Sequence, residues 1–283
     1  MQILRPLLGK LNQGVIFSCA RAERYGGCAI YGVVITARCD LAQDKFPVLN
    51  YIPVVKLDDW LLRDGFEILH SRAAGDVESR LHSALDNAAI AKSILNSQPP
   101  RQILEAIFRA QNADKKIRNA EPKFAEIVER YELINSLSES GHDPICDLFE
   151  MNAALAKALL KELALNRLTG YYFLPAVTDD GEKSGYVALM REVSRLPREL
   201  AMRIANGLDA DDGCLATNPS WATYVSFEHE PFAMPIGEIP SPAIEHFLQT
   251  FSALFGRIGL DDIEPTYLAS ITERRPARNG EAQ

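Results

Sequence analysis

The chain lacks the marks that would place it in the common enzyme classes. It contains no Walker A loop, no GxGxxG, no GxSxG, no kinase signature and no HExxH or HxxxH spacing among its five histidines. The usual warrants for nucleotide-binding, serine-hydrolase and zinc-protease readings are therefore missing. No apolar run approaches the roughly 18 residues that a bilayer-crossing helix needs. The segment from Met1 to Lys10 also has no long apolar stretch of the signal-peptide kind, so the expectation is a cytoplasmic protein without membrane association. The five cysteines, Cys19, Cys28, Cys39, Cys146 and Cys214, are an odd set without a CxxC pair, which fits reduced thiols and no structural disulfide. A large basic face is excluded by the net charge of −8 and a pI near 5.3. Duplex binding needs clustered cations, and the one dense cluster outside a predicted helix is Arg274, Arg275 and Arg278, in a tail (residues 274–283) that reads as disordered.

What is present is an ordinary globular composition, 47% hydrophobic and 24% charged over 283 residues, enough for one elaborated domain or two. Short β-prone runs fill the first part: Val15 to Phe17, Ala29 to Thr36, Val48 to Leu57 and Phe66 to Leu69, separated by Gly26-Gly27 and by polar breaks. From about Val77 to Leu168 the period becomes helical, with Pro122 at a predicted first helical position and one long helix expected from Asp143-Pro144 to Leu163. Strands are expected again at Tyr171 to Leu174, Gly185 to Met190 and Thr223 to Phe227, with a helix from Arg198 to Asn206 among them. A last helix, capped by Ser241 and opened by Pro242, carries an apolar stripe from Ile244 to Ile258. The fold class is α+β. The expected division is a β-barrel-like segment over residues 1–76, a helical insertion over 77–169, and an α+β segment over 170–273 that packs with the first. Four short strands alone make too small a core.

Two segments could carry chemistry. Gly32 to Gln43 runs from a buried β stretch into a polar cluster at the strand end, where side chains are exposed yet held. Cys39 there is a candidate nucleophile or ligand and Asp40 its base or partner; as a purely structural pair they would be a small core residue and a turn former. Cys19, Cys28 and Cys39 lie on successive segments, but their spacing matches no known zinc pattern, and no metal or other cofactor is expected. Trp221 to Pro235 combines aromatic residues with Glu228, His229 and Glu230, a possible acid/base pair at a strand end or a contact surface for a ligand or partner. Thr36, Arg38, Asp40, Trp221, Glu228 and His229 are the candidate binding residues.

The opening Gln13-Gly14-Val15-Ile16-Phe17, a polar Arg/Glu/Gly segment, then Gly32-Val33-Val34-Ile35-Thr36, resembles over about sixty residues the start of the MazF/PemK toxin barrels. The resemblance implies a small SH3-like β-barrel, here elaborated by a helical insertion and a C-terminal helix, in a family whose toxins cleave RNA with an arginine just before the second strand. Ile30-Tyr31 stands in place of that Arg-Pro pair, and Lys56-Leu57 falls near the position of the catalytic Thr. Arg21, Arg24 and Arg38 are the arginines that could substitute in space. The CDLA strand end, the YFLP run and the closing helix also resemble uncharacterised bacterial proteins associated with defence or toxin genes. The leading expectation is a noncatalytic binding or regulatory protein acting through a protein partner. The alternative is a MazF/PemK-like endoribonuclease with altered catalytic residues, for which RNA is the partner.

Overall fold

A computed structural model describes residues 2–111, 114–137, 142–180 and 184–256. The expected tail, the end of the last apolar stripe at Ile258, and the arginines of the basic cluster lie outside these residues.

The chain is mixed α+β, with a curled antiparallel half-barrel sheet. Its strands are β1 (Val15–Phe17), β2 (Tyr31–Val34), β3 (Val48–Lys56), β4 (Tyr171–Leu174), β5 (Tyr186–Leu189) and β6 (Ser194–Pro197). A two-residue pair, β7 (Leu208–Asp209) with β8 (Phe232–Ala233), stands apart, and β9 (Pro235–Glu238) returns to the main sheet. The order is β4-β5-β3-β2-β1-β9, with β6 also on β3. The long strand β3 is the hub. Along one edge it pairs with β2, Val33 opposite Ile52, while its other edge is divided between β6, Leu49 opposite Leu196, and β5, Val55 opposite Val187. Strands from before residue 77 and from after residue 170 thus share one sheet.

Alternation explains why these runs are apolar almost without interruption. Val15, Phe17, Val34, Leu49, Tyr51, Val55 and Val187 face one cluster, and Ile16, Val33, Ile52, Val54 and Ala188 face another. Because successive side chains of a strand point to opposite faces, a sheet covered on both sides reads as continuous hydrophobicity.

The first face is covered by helices. After α1 (Arg38–Ala42), the chain leaves β3 directly into α2 (Leu57–Trp60), a π turn (Leu61–Gly65) and α3 (Phe66–Asn87). Phe66 to Leu69, expected as a strand, is therefore helical. The buried positions Phe66, Leu69, Ala73, Val77, Leu81 and Leu85 keep a helical spacing, which a four-residue window cannot reveal. The expected boundary between residues 76 and 77 falls inside α3. A short α4 (Pro100–Ile103) precedes α5 (Lys115–Ser136), which packs on α3. Asp114 caps α5 by accepting the Ile117 amide at 2.9 Å, so Pro122 sits inside the helix rather than at its start. The lost backbone bond is offset by the buried face of Phe124, Ile127, Val128 and Ile134.

The single helix expected from Asp143 to Leu163 is two, α6 (His142–Met151) and α7 (Ala153–Ala164). They break at buried Asn152, whose amide donates to the Leu148 carbonyl at 2.9 Å and accepts from Arg130 at 2.7 Å. Next come α8 (Arg198–Asn206) and a short α9 (Gly213–Thr217), then a 3₁₀ turn, Pro219–Thr223. Thr223 to Phe227, expected as a strand, forms none: the segment buries Trp221 and Val225 on irregular backbone and is tied to the sheet by Ser226 N–H to the Cys19 carbonyl at 3.0 Å. The last helix, α10 (Ala243–Phe255), has Pro242 at its cap without a side-chain capping bond, so Ser241 does not cap it as expected. Its Ile244 and Phe247 cover the second face of the sheet, Phe247 meeting Tyr172 edge to face at 5.0 Å.

Candidate functional site

Three places bring chemistry-bearing side chains together, and the sequence pointed to parts of each. The first is the CDLA segment. Beyond β2, Thr36 is buried and its hydroxyl accepts the Asn50 amide at 2.7 Å, so this side chain pins the start of β3. Arg38, Cys39 and Asp40 then project from the exposed turn of α1. Arg38 reaches Glu245 of α10 at 3.1 Å, with both side chains about half exposed, a geometry of little energetic weight. Cys39 Sγ lies 3.6 Å from Asp40 Oδ1, and among the described residues no histidine is hydrogen-bonded to the pair. On its other side α1 forms a groove. Leu41 and Ala42 face Phe46, Lys10 and, from α8, Met202 across a cleft of about 400 Å³. The N-terminal wall is anchored by the Gly9 amide on the Ala205 carbonyl at 2.8 Å, and the two residues before Gly9 in the chain, Leu7 and Leu8, are exposed by 64% and 71%.

The second place gathers Cys19, Cys28, His229 and Glu230 at a very small cavity. Cys19 leaves β1 with a φ of 60°, a conformation that costs a non-glycine residue energy. Its thiol donates to the Phe232 and Glu230 carbonyls, at 3.3 and 3.5 Å. Burial, with Glu230 adding to it, pushes this thiol up to about 12, which keeps it protonated and unreactive at neutral pH. Burial also raises Cys28. His229 is tied to the Gly27 carbonyl at 2.9 Å, Glu228 is exposed, and Trp221 is buried in the core rather than displayed on the surface. Cys39 is on a different element, and among the described residues no group of three His, Cys, Asp or Glu side chains converges as metal ligands would.

The third place was only partly legible in the sequence. Asp64, in the π turn after α2, is buried. It accepts Tyr25 Oη–H at 2.7 Å and Arg24 Nη1–H at 2.8 Å, while Arg24 also pairs with Glu67. Tyr171 and Glu192 border the same polar cleft of about 290 Å³. Burial raises Tyr25 and Tyr171, the latter up to about 12, and both rises are augmented by the negative charge of Asp64. Burial also raises Glu192, opposed by the hydrogen bond it accepts from the Glu23 amide at 2.8 Å. Arg24 was a candidate from the sequence; Tyr25, Asp64, Tyr171 and Glu192 were not. The usable signal was Asp64 itself, four residues after Trp60 on the side of the helix that faces the core, where a carboxylate needs a partner. Arg21 stands apart from this cleft, its Nε–H donated to the Val225 carbonyl at 2.8 Å.

Comparison with protein-family models, with curated proteins and with solved structures finds no match for the chain.

Proposed function

We propose that this protein is a noncatalytic binding or regulatory protein that engages a protein partner through the groove between α1, the N-terminal segment and α8. The observation that carries the reading is the groove's composition. Leu41, Phe46 and Met202 offer an apolar seat beside Gly9 and Lys10, and the exposed Leu7 and Leu8 directly precede these two in the chain. Lys10 at its rim has no ion-pair partner among the described residues. The matching partner is an amphipathic helix with an apolar face and an acidic flank. The state of three candidate catalytic arginines points the same way: Arg21 is bonded to the Val225 carbonyl, Arg24 to Asp64 and Glu67, and Arg38 to Glu245.

The opening strands, with their likeness to the MazF/PemK barrels, support an SH3-like ancestry for the curled sheet and a place in a bacterial defence or toxin-like system. The test compares proteins captured from the native host by the wild-type chain and by Met202→Asp. A stoichiometric partner that is lost from the variant is the expected result; an identical captured set overturns the groove. The endoribonuclease alternative is decided separately by incubation with total RNA. Cleavage that disappears in Arg24→Ala or Arg38→Ala would sink the binding-only reading.

A further inference from the structure

On another side of the molecule, between the end of α7, the start of β4 and the outer face of α10, lies a cleft of about 560 Å³. This is the size range of small-molecule sites. Its polar lining is one-sided. Arg167, Arg191, His246, Asn166, Thr169 and Thr250 border it, and among the described residues no carboxylate does, although the chain as a whole carries a net charge of −8.

Local structure aims these groups. Helix α7 ends with the Arg167 amide on the Glu162 carbonyl and the Asn166 amide on Leu163, at 2.9 Å each, with Asn166 left-handed at φ 53°. This paired closure of a helix C-terminus turns the chain sharply, so Arg167 leaves the helix at the mouth of the cleft. Asn166 Oδ1 accepts the Phe173 amide at 2.6 Å. That bond fixes the orientation of the side-chain amide and leaves its NH₂ group as the unpartnered end. His246 Nδ1 stands 2.9 Å from the Tyr172 hydroxyl, which burial keeps protonated. With the tyrosine proton directed to Nδ1, the remaining Nε2 carries the hydrogen and is a donor. Arg191 lies across Gly170, where a Cβ would come within 2.8 Å of its Nε and where φ is +93°. Neither the Arg167 nor the Arg191 guanidinium makes a hydrogen bond or ion pair with any described residue, whereas most other arginines among the described residues, Arg21, Arg24, Arg72 and Arg101 among them, are held in ion pairs or carbonyl bonds. Leu168, Met190 and Leu254 supply an apolar wall beside them.

We infer that this cleft binds a small organic phosphate of about nucleotide size, its phosphate held by Arg167 and Arg191 with the Asn166 and His246 N–H groups, and its organic part against the Leu168 and Leu254 side. Two guanidiniums bordering one cleft whose described lining holds no carboxylate are well matched to a doubly charged phosphate, which each can grip by two parallel hydrogen bonds; Arg191 also borders the neighbouring cleft of Glu23, Asp64 and Glu192. The site shares no lining residue with the groove at α1, so it suits a regulatory ligand.

The experiment is isothermal titration of the full chain with AMP, with inorganic phosphate and with a short single-stranded RNA. Saturable AMP binding is expected, tighter than that of inorganic phosphate because of the apolar wall. Arg191→Gln and Arg167→Gln should each weaken it roughly tenfold, the loss of one charge-assisted bond pair. Arg198→Gln, on the opposite groove, should not change it. Both glutamine variants alter exposed side chains, so retained thermal unfolding will show that the fold is intact. Absence of AMP binding overturns the inference, as does AMP binding that is unchanged in both variants or no tighter than that of phosphate. RNA binding that depends on the two arginines while AMP fails to bind would also overturn it, in favour of a nucleic-acid surface.

Discussion

Tyr25 gives its hydroxyl proton to Asp64 at 2.7 Å in the interior of the protein, and the same carboxylate takes a second bond from Arg24 at 2.8 Å. The pairing joins the loop after β1 to the turn before α3, two elements that no backbone hydrogen bond connects.

Tyr25→Phe should therefore leave one oxygen of a buried carboxylate short of a donor and cost about 1–3 kcal/mol. Asp64→Ala should cost about as much, since it leaves the buried Tyr25 hydroxyl without its acceptor while Arg24 keeps Glu67. The double variant should lose less than the sum of the two, because the bond can be removed only once. Denaturant unfolding of the four proteins measures this.

Glu192 gives a pH test. Its carboxyl is raised above the ordinary carboxylate value of 4.5 by burial. Below that value both folded and unfolded chains hold the proton and the group is neutral for stability. As pH rises from there through the folded value, only the unfolded chain ionises, so stability is lost, and above it the penalty is constant. Glu192→Gln removes the charge but keeps an oxygen for the Glu23 amide. It should raise the melting temperature at pH 7, and the gain should vanish as pH falls to about 4. A gain that persists at low pH would mean that the effect is not ionisation.

Asn152 is the hinge between α6 and α7, and its side-chain oxygen accepts from Arg130 Nη2. Replacing it with alanine should improve local helix propensity yet destabilise the protein by about 1–3 kcal/mol, because the half-buried guanidinium loses the closer of its two acceptors and keeps only the Met151 carbonyl. Asn152→Ala combined with Arg130→Met should recover part of that loss in thermal unfolding.

Gly32 lies in the middle of β2, beneath the edge-to-face pair of Phe17 and Tyr51, whose centroids are 5.0 Å apart. A Cβ at Gly32 would stand 2.5 Å from the Phe17 ring and 2.8 Å from that of Tyr51. Gly32→Ala should cost about 1–3 kcal/mol through overpacking, and Gly32→Ala with Phe17→Leu should restore much of it. Near-ultraviolet circular dichroism would report the disturbed aromatic pair.

The strand runs that were legible in the sequence are those with turn chemistry on both sides: β1, β2, β3 and β4 follow the expected apolar stretches closely. The errors share a cause. Phe66 to Leu69 and Thr223 to Phe227 have β-prone residues, but a four- or five-residue apolar run carries no period, and long-range packing decided both. The break at Asn152 depends on Arg130, on a different helix, so no local pattern announces it. The candidate site was legible to the extent that local sequence builds it. The CDLA turn stands where a strand end was expected, whereas the Tyr25–Asp64 bond and the placing of Arg167 and Arg191 on one cleft arise from residues 39 and 24 positions apart.

The fork in β3 also sets the order in which this molecule can be made. Its second edge waits for residues 186 to 197, and β1 stays unpaired on its outer side until β9, at Pro235–Glu238, has been synthesised. For most of its time on the ribosome the nascent chain carries apolar strands with open edges and no cover on the face that α10 will occupy. Such an intermediate is prone to self-association. Truncation after residue 76 would freeze that condition, cutting α3 in mid-course and leaving β3 without β5 and β6. A fragment of residues 1–76 should therefore aggregate or remain unfolded, and the full chain should depend on chaperones that shelter the unfinished sheet until β9 has been made.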